Sequence, residues 1–171
     1  MAHSGVHATP KSAGNGRQVT SLAAAKARAQ RFADGLGLRA GEVMRFSRDY
    51  YVELTTSDGH GATEVLVDPH DGAVQLEYGP AMMWNTAYGM HRTATGAHAR
   101  VSAAEARRIA RQWLSDHARG QSPGSAEVFP GYYTMHTLDH GSITGMLSVN
   151  SSTGRVWYHS WHGTFEEMSD D

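Results

Sequence analysis

The chain has 171 residues, 40% of them hydrophobic, which is enough for one large core or two small ones. A net charge of −2, with 19% charged residues, leaves no basic footprint for nucleic acid or an anionic membrane surface. The absence of cysteine excludes disulfides, thiolate metal sites and cysteine nucleophiles, so a soft metal site would have to draw on the 8 Met and 11 His.

Residues 1–18 are rich in Gly, Ser and His and read as a flexible lead standing where an export signal or membrane anchor would sit. No apolar run reaches the length of a membrane span. Ser21 is placed to cap a helix over 21–35, with Leu22, Ala25, Ala29 and Phe32 as its apolar stripe and Gly35 and Gly37 as its stop. Strands are predicted at 42–46, 50–55, 63–67 and 73–78. Turns fall at 57–61 and at Asp68-Pro69-His70-Asp71-Gly72. Residues 79–91, GPAMMWNTAYGMH, are too irregular for a helix or strand and too rich in Met and aromatics for an ordinary linker.

The second half repeats the first. Ser102 and Glu105 form a capping box for a helix over 102–117, whose stripe is Ala103, Ala106, Ile109, Ala110 and Trp113. Tyr132-Tyr133 aligns with Tyr50-Tyr51, and Leu147–Asn150 aligns with 65–68, at a constant offset of 81 to 82 residues. This is the signature of an internal duplication. The expected fold is α+β: two tandem repeats, each a helix packed on a small antiparallel sheet of about four strands. The divisions are the lead (1–18), repeat 1 (19–78), a Met/Trp-rich joint (79–100), repeat 2 (101–160) and a C-terminal tail (161–171).

The run Ser102 to Ala110, the Tyr50-Tyr51 pair and the Val-Asp-Pro-x-x-Gly-x-Val segment at 67–74 resemble the PepSY domain family. Weaker echoes lie at 21–29 and 149–156, where Asn150-Ser151-Ser152-Thr153-Gly154 departs from the Asp-Pro turn. Residues 79–89 and 157–165 resemble segments of an uncharacterised two-copy subgroup of that family. The resemblance implies an extracytoplasmic or membrane-associated module without catalytic residues, which contacts a protein or peptide partner and in some members inhibits a peptidase.

The chain carries no zinc-protease, nucleophile-elbow, Walker or dinucleotide motif, and its carboxylates gather at turns and in the tail, so no enzyme is expected. Strand alternation turns Tyr50, Val52, Leu54, Val65, Val67, Val74 and Leu76 toward the first helix. It turns Tyr132, Leu147, Val149, Val156 and Tyr158 toward the second. The opposite face of the second sheet then shows Tyr133, Met135, Met146, Trp157, His159 and Trp161, an apolar patch that needs a cover. That cover is either the chain itself, through 81–88 or the tail with Phe165, or a partner. A partner would use Trp84, Tyr133, Trp157 and Trp161 as anchors. The alternative function is copper(I) binding by an accessory protein, with Met82, Met83, Met90, His91, Met135, His159 and His162 as candidate thioether and imidazole ligands. On a continuous strand His159 and His162, three residues apart, would point to opposite faces.

Overall fold

The computed structural model describes residues 11–91 and 99–169. A two-residue strand, β1 (Lys11–Ser12), precedes helix α1 (Leu22–Asp34), which Ser21 caps by accepting the Ala24 N–H at 3.1 Å. Strands β2 (Arg39–Phe46), β3 (Tyr50–Thr55), β4 (Gly61–Val67) and β5 (Val74–Leu76) follow, and then the one-turn helix α2 (Pro80–Met83). Helix α3 (Ala103–His117) starts where Ser102 accepts the Glu105 N–H at 3.2 Å. Strands β6 (Gln121–Pro123), β7 (Glu127–Phe129), β8 (Tyr132–Asp139), β9 (Ser142–Asn150), β10 (Val156–Tyr158) and β11 (Phe165–Met168) complete the order. Among the described residues no helix is long and apolar enough to cross a membrane.

Two separate units, each a helix on about four strands, are not what the chain builds. It forms a six-stranded antiparallel sheet ordered β1-β5-β4-β3-β2-β11. A five-stranded one is ordered β10-β9-β8-β6, with β7 also paired to β8. Both outer strands of the larger sheet come from segments that carry no strand signal in the sequence: Lys11 pairs with Gln75, and Phe165 with Phe46. The reason is backbone chemistry. The exposed edges of β5 and β2 present unpaired N–H and C=O groups, and any neighbouring extended segment can satisfy them whatever its side chains.

Helix α1 lies on one face of the six-stranded sheet. Its buried residues are Ala25, Ala29 and Ala33, small enough for close approach to Val43, Val52, Leu54, Val65 and Val67. Helix α3 lies likewise on the five-stranded sheet, through Ala106, Ala110 and Leu114 against Met135, Leu147 and Val149. The two remaining sheet faces press together. Met44, Phe46, Tyr51 and Leu66 of the first meet Met146 of the second, with Ile143, Trp161, Phe165 and Met168 packed at the margin. The layers therefore run helix, sheet, sheet, helix. The apolar face of the second sheet finds its cover within the chain, in the first sheet and β11.

Alternation assigns the first repeat's helix-facing residues as they stand, since all seven lie in the α1 core. In β8 it is out by one. Tyr133 and Met135 face α3, whereas Tyr132 faces the intersheet space. The equivalent of Tyr50, whose hydroxyl donates to Val19 O at 3.2 Å, is Tyr133, which donates to Val101 O at 2.7 Å. The true offset at that strand is thus one residue longer than the alignment of the two Tyr-Tyr pairs. With a period of two, one residue exchanges the faces of a strand. Cross-strand pairing fixes the result, because Tyr133 sits opposite Val149 and Met135 opposite Leu147.

Candidate functional site

The intersheet space is not uniformly apolar. Gln75 and Glu77 alternate onto the inner side of the first sheet, and the Glu77 N–H continues the ladder to Glu64 O at 2.9 Å. Gly79, at φ 74°, then turns the chain into α2. A Cβ at Gly79 would lie 2.9 Å from the Trp157 ring and 3.0 Å from that of Trp161, so the turn needs glycine for space as well as for φ.

On the other side β10 ends at Tyr158, and the chain bends. The His159 N–H donates to Met146 O at 3.0 Å. Residues 162–164 then zip onto the β2–β3 turn, with Arg48 N–H donating to His162 O, and Ser47 and Thr164 bonded to each other. This bend is why His159 and His162 converge. The opposite-face expectation applies to a continuous strand, and the strand stops one residue before the first histidine.

Both imidazoles meet the Glu77 carboxylate. His159 Nδ1 lies 3.3 Å from Oε1 and His162 Nε2 lies 2.8 Å from Oε2, with all three side chains essentially inaccessible to solvent. The far nitrogen of each ring is held as well: His162 Nδ1 is 2.8 Å from Asp49 Oδ1, and His159 Nε2 is 2.8 Å from Ser148 Oγ. The Trp161 indole stacks on His159, with centroids 4.8 Å apart, and donates its N–H to Glu77 Oε2 at 3.3 Å. Phe46 stacks on His162 at 4.2 Å. Neither contact between histidine and Glu77 has hydrogen-bond alignment, and Glu77 Oε1, His159 Nδ1 and His162 Nε2 are buried without a hydrogen-bond partner.

A second carboxylate lies behind the first. Glu64 accepts from Tyr51 at 2.5 Å, Tyr132 at 2.7 Å and Thr134 at 3.0 Å. Thr134 in turn shares a hydrogen bond with Ser148 at 2.8 Å, so hydroxyls link Glu64 to His159. Burial, reinforced by the Glu77 charge, raises the Glu64 carboxyl to about 8. Burial pushes Glu77 the same way, but the His159 and His162 charges outweigh it and hold that carboxyl at about 2. For His162, burial is outweighed by Glu77 and Asp49, which lift the imidazole to about 10. Burial also raises Asp49. The cluster is thus a neutral Glu64 beside an ionised Glu77 that is paired with an imidazolium. A cleft of about 260 Å³, lined by Lys11, Arg48, Asp49, Gln75, Tyr78 and Trp161, reaches the cluster through Asp49 and Trp161.

No family model, curated protein or solved structure matches the chain.

Of the residues singled out in the sequence, the structure gathers only some. Trp161, His159 and His162 belong to the cluster. Trp157 and Trp84 pack edge-to-face at 5.2 Å beside it, both half-buried. Tyr133 is buried under α3, on the far side of its sheet. The thioethers do not converge. Met82 packs against the α1 core, Met135 lies in the α3 core, and Met83, Met90 and His91 are exposed. Glu77, Asp49, Ser148 and Glu64 are the residues the sequence reading leaves out. Glu64 and Glu77 do carry a signal, since parity places both on the same non-helical face, but their burial depends on a second sheet closing over that face.

Proposed function

We propose that the protein is a non-catalytic binding module, acting outside the cytoplasm or at its membrane, that recognises a protein or peptide partner through the joint between its halves. One observation carries this reading. Among the described residues the exposed large hydrophobics are Tyr78 (47%), Met83 (44%), Met90 (49%) and Val128 (58%), and three of the four fall within residues 78–90. Beside them lie the half-buried Trp84 and Trp157. Aromatic and Met side chains are favoured anchors at recognition surfaces, because they bring large apolar area with adaptable or rigid shape.

The segment that bears them is held in place. Asn85 is buried, donates to Ala62 O at 2.7 Å, and accepts from the N–H groups of Ala87 and Tyr88. A pre-ordered loop loses little entropy on binding. The PepSY resemblance supplies the class of partner, and thermolysin-like metallopeptidases are its first candidates. The test compares the wild-type chain with a Tyr78→Ser, Met83→Ser, Met90→Ser variant of equal melting temperature. Both are assayed against a displayed peptide library and a thermolysin-like peptidase. Binding or inhibition that drops at least tenfold in the variant is expected; equal behaviour of the two chains removes the joint as the recognition surface.

A further inference from the structure

We infer that Glu77, His159 and His162 form a binding site for one divalent transition-metal ion of the zinc class. The three donor atoms lie within 4.8 Å of one another, and they come from opposite sheets: Glu77 from the end of β5, the histidines from the bend after β10. Two nitrogens and a carboxylate oxygen are the donor set of many zinc and other borderline-metal centres, and they lack the thioether that copper(I) favours.

Three further observations point to an ion. Glu77 Oε1, His159 Nδ1 and His162 Nε2 are the converging atoms, and each is buried without a hydrogen bond. A polar atom left so costs stability unless something satisfies it, and a single cation would satisfy all three. Next, each imidazole is oriented through its far nitrogen, His162 by Asp49 and His159 by Ser148. This is the outer-sphere arrangement that fixes ring orientation, and a metal would bind by displacing the proton that the near nitrogen of the His162 imidazolium carries. Last, the two buried carboxylates of Asp49 and Glu77 are paired only with histidine among the described residues, with no Lys or Arg at either. A divalent ion would balance them. The spacing is compatible: ligands about 2.0–2.1 Å from a tetrahedral ion stand about 3.3 Å apart. His159 Nδ1 already stands 3.3 Å from Glu77 Oε1; His162 Nε2 stands 2.8 Å from the other oxygen, Oε2, and a small shift of the carboxylate would bring both nitrogens to one ion.

The experiment is titration of the full chain with Co²⁺, followed by displacement with Zn²⁺, read by visible absorption, calorimetry and imidazole ¹⁵N resonances. One Co²⁺ per chain is expected, with the intense visible bands of a four-coordinate centre. Shifts should be confined to His159 Nδ1 and His162 Nε2, and Zn²⁺ should displace the cobalt. Ser148→Ala and Asp49→Asn, which spare the ligands and the core, should each weaken Zn²⁺ by about 10–100-fold. Glu77→Gln should weaken it further, while Met82→Leu, Met83→Leu and Met90→Leu together should leave affinity unchanged. A wild-type titration without visible bands, in which only exposed histidines shift, overturns the assignment whatever the variants do. So does undiminished Zn²⁺ affinity in a folded Glu77→Gln chain.

Discussion

Glu64, Glu77 and His162 make stability depend on pH in a direction that can be worked out group by group. His162 is lifted from 6.5 to about 10, so its contribution is complete below pH 6.5 and is lost as pH rises through 10. Glu77 is lowered from 4.5 to about 2, so its contribution is present above pH 4.5 and vanishes as pH falls through 2. Glu64 is raised from 4.5 to about 8. The folded state holds its proton where the unfolded chain has released it, so stability declines between those values as pH increases. The three together place maximal stability of the metal-free protein near pH 4.5, with a decline from there that steepens above pH 6.5 as His162 adds to Glu64. Thermal melts in a chelating buffer check this, and a flat profile from pH 5 to 9 would contradict it. Glu64→Gln keeps an oxygen for Tyr132 and Thr134 while removing the titration, and is expected to flatten the profile between pH 5 and 8.

The joint between the halves behaves as an element in its own right, and Asn85 is its anchor. Asn85→Ala leaves Ala62 O and the N–H groups of Ala87 and Tyr88 without their partner, in a part of the molecule where Asn85 itself is fully buried. Two or three orphaned groups of that kind cost roughly 2–4 kcal/mol in total. Urea denaturation should show a lower midpoint at unchanged slope. At this scale the sequence is informative wherever the signal is local. Ser21 and Ser102 cap their helices, and the buried stripes of α1 and α3 follow helical spacing. The helix-facing residues of β3, β4 and β5 follow strict alternation. It fails at β8, where the residue that matches Tyr50 is Tyr133 and not Tyr132, and at the bend after Tyr158, which no periodicity encodes. The candidate site is legible only in halves for the same reason. His159 and His162 stand out by type, and Glu64 and Glu77 by parity. Their meeting is decided by the stacking of two sheets, a long-range outcome that local pattern does not contain.

Across the whole molecule, the stacked inner faces and the passage of β11 from the second half into the first sheet make the halves interdependent. β11 pairs with β2, and its Phe165 and Met168 pack at the margin of the intersheet core beside Met44 and Phe46. Removing residues 165–171 strips that cover and bares the β2 edge. Two half-buried apolar side chains are worth about 2 kcal/mol or more together, and an open edge invites pairing between chains. The truncated protein is expected to unfold at lower urea and to self-associate on size exclusion. A monomer with an unchanged midpoint would show that β11 is dispensable. The same strand has a consequence in time. Ser169 bonds to the backbone of Val43 across 126 residues of sequence, and Thr164 to Ser47 across 117. During synthesis the first half therefore emerges with its β2 edge and its inner face unfinished. It waits for nearly the entire remainder of the chain before it can close. Such late, long-range closure is slow, because loop entropy is spent before the contacts that reward it exist. For that interval the nascent protein offers β2 to any chaperone or passing strand, which makes the order of arrival, and not only the final packing, part of what this sequence must manage.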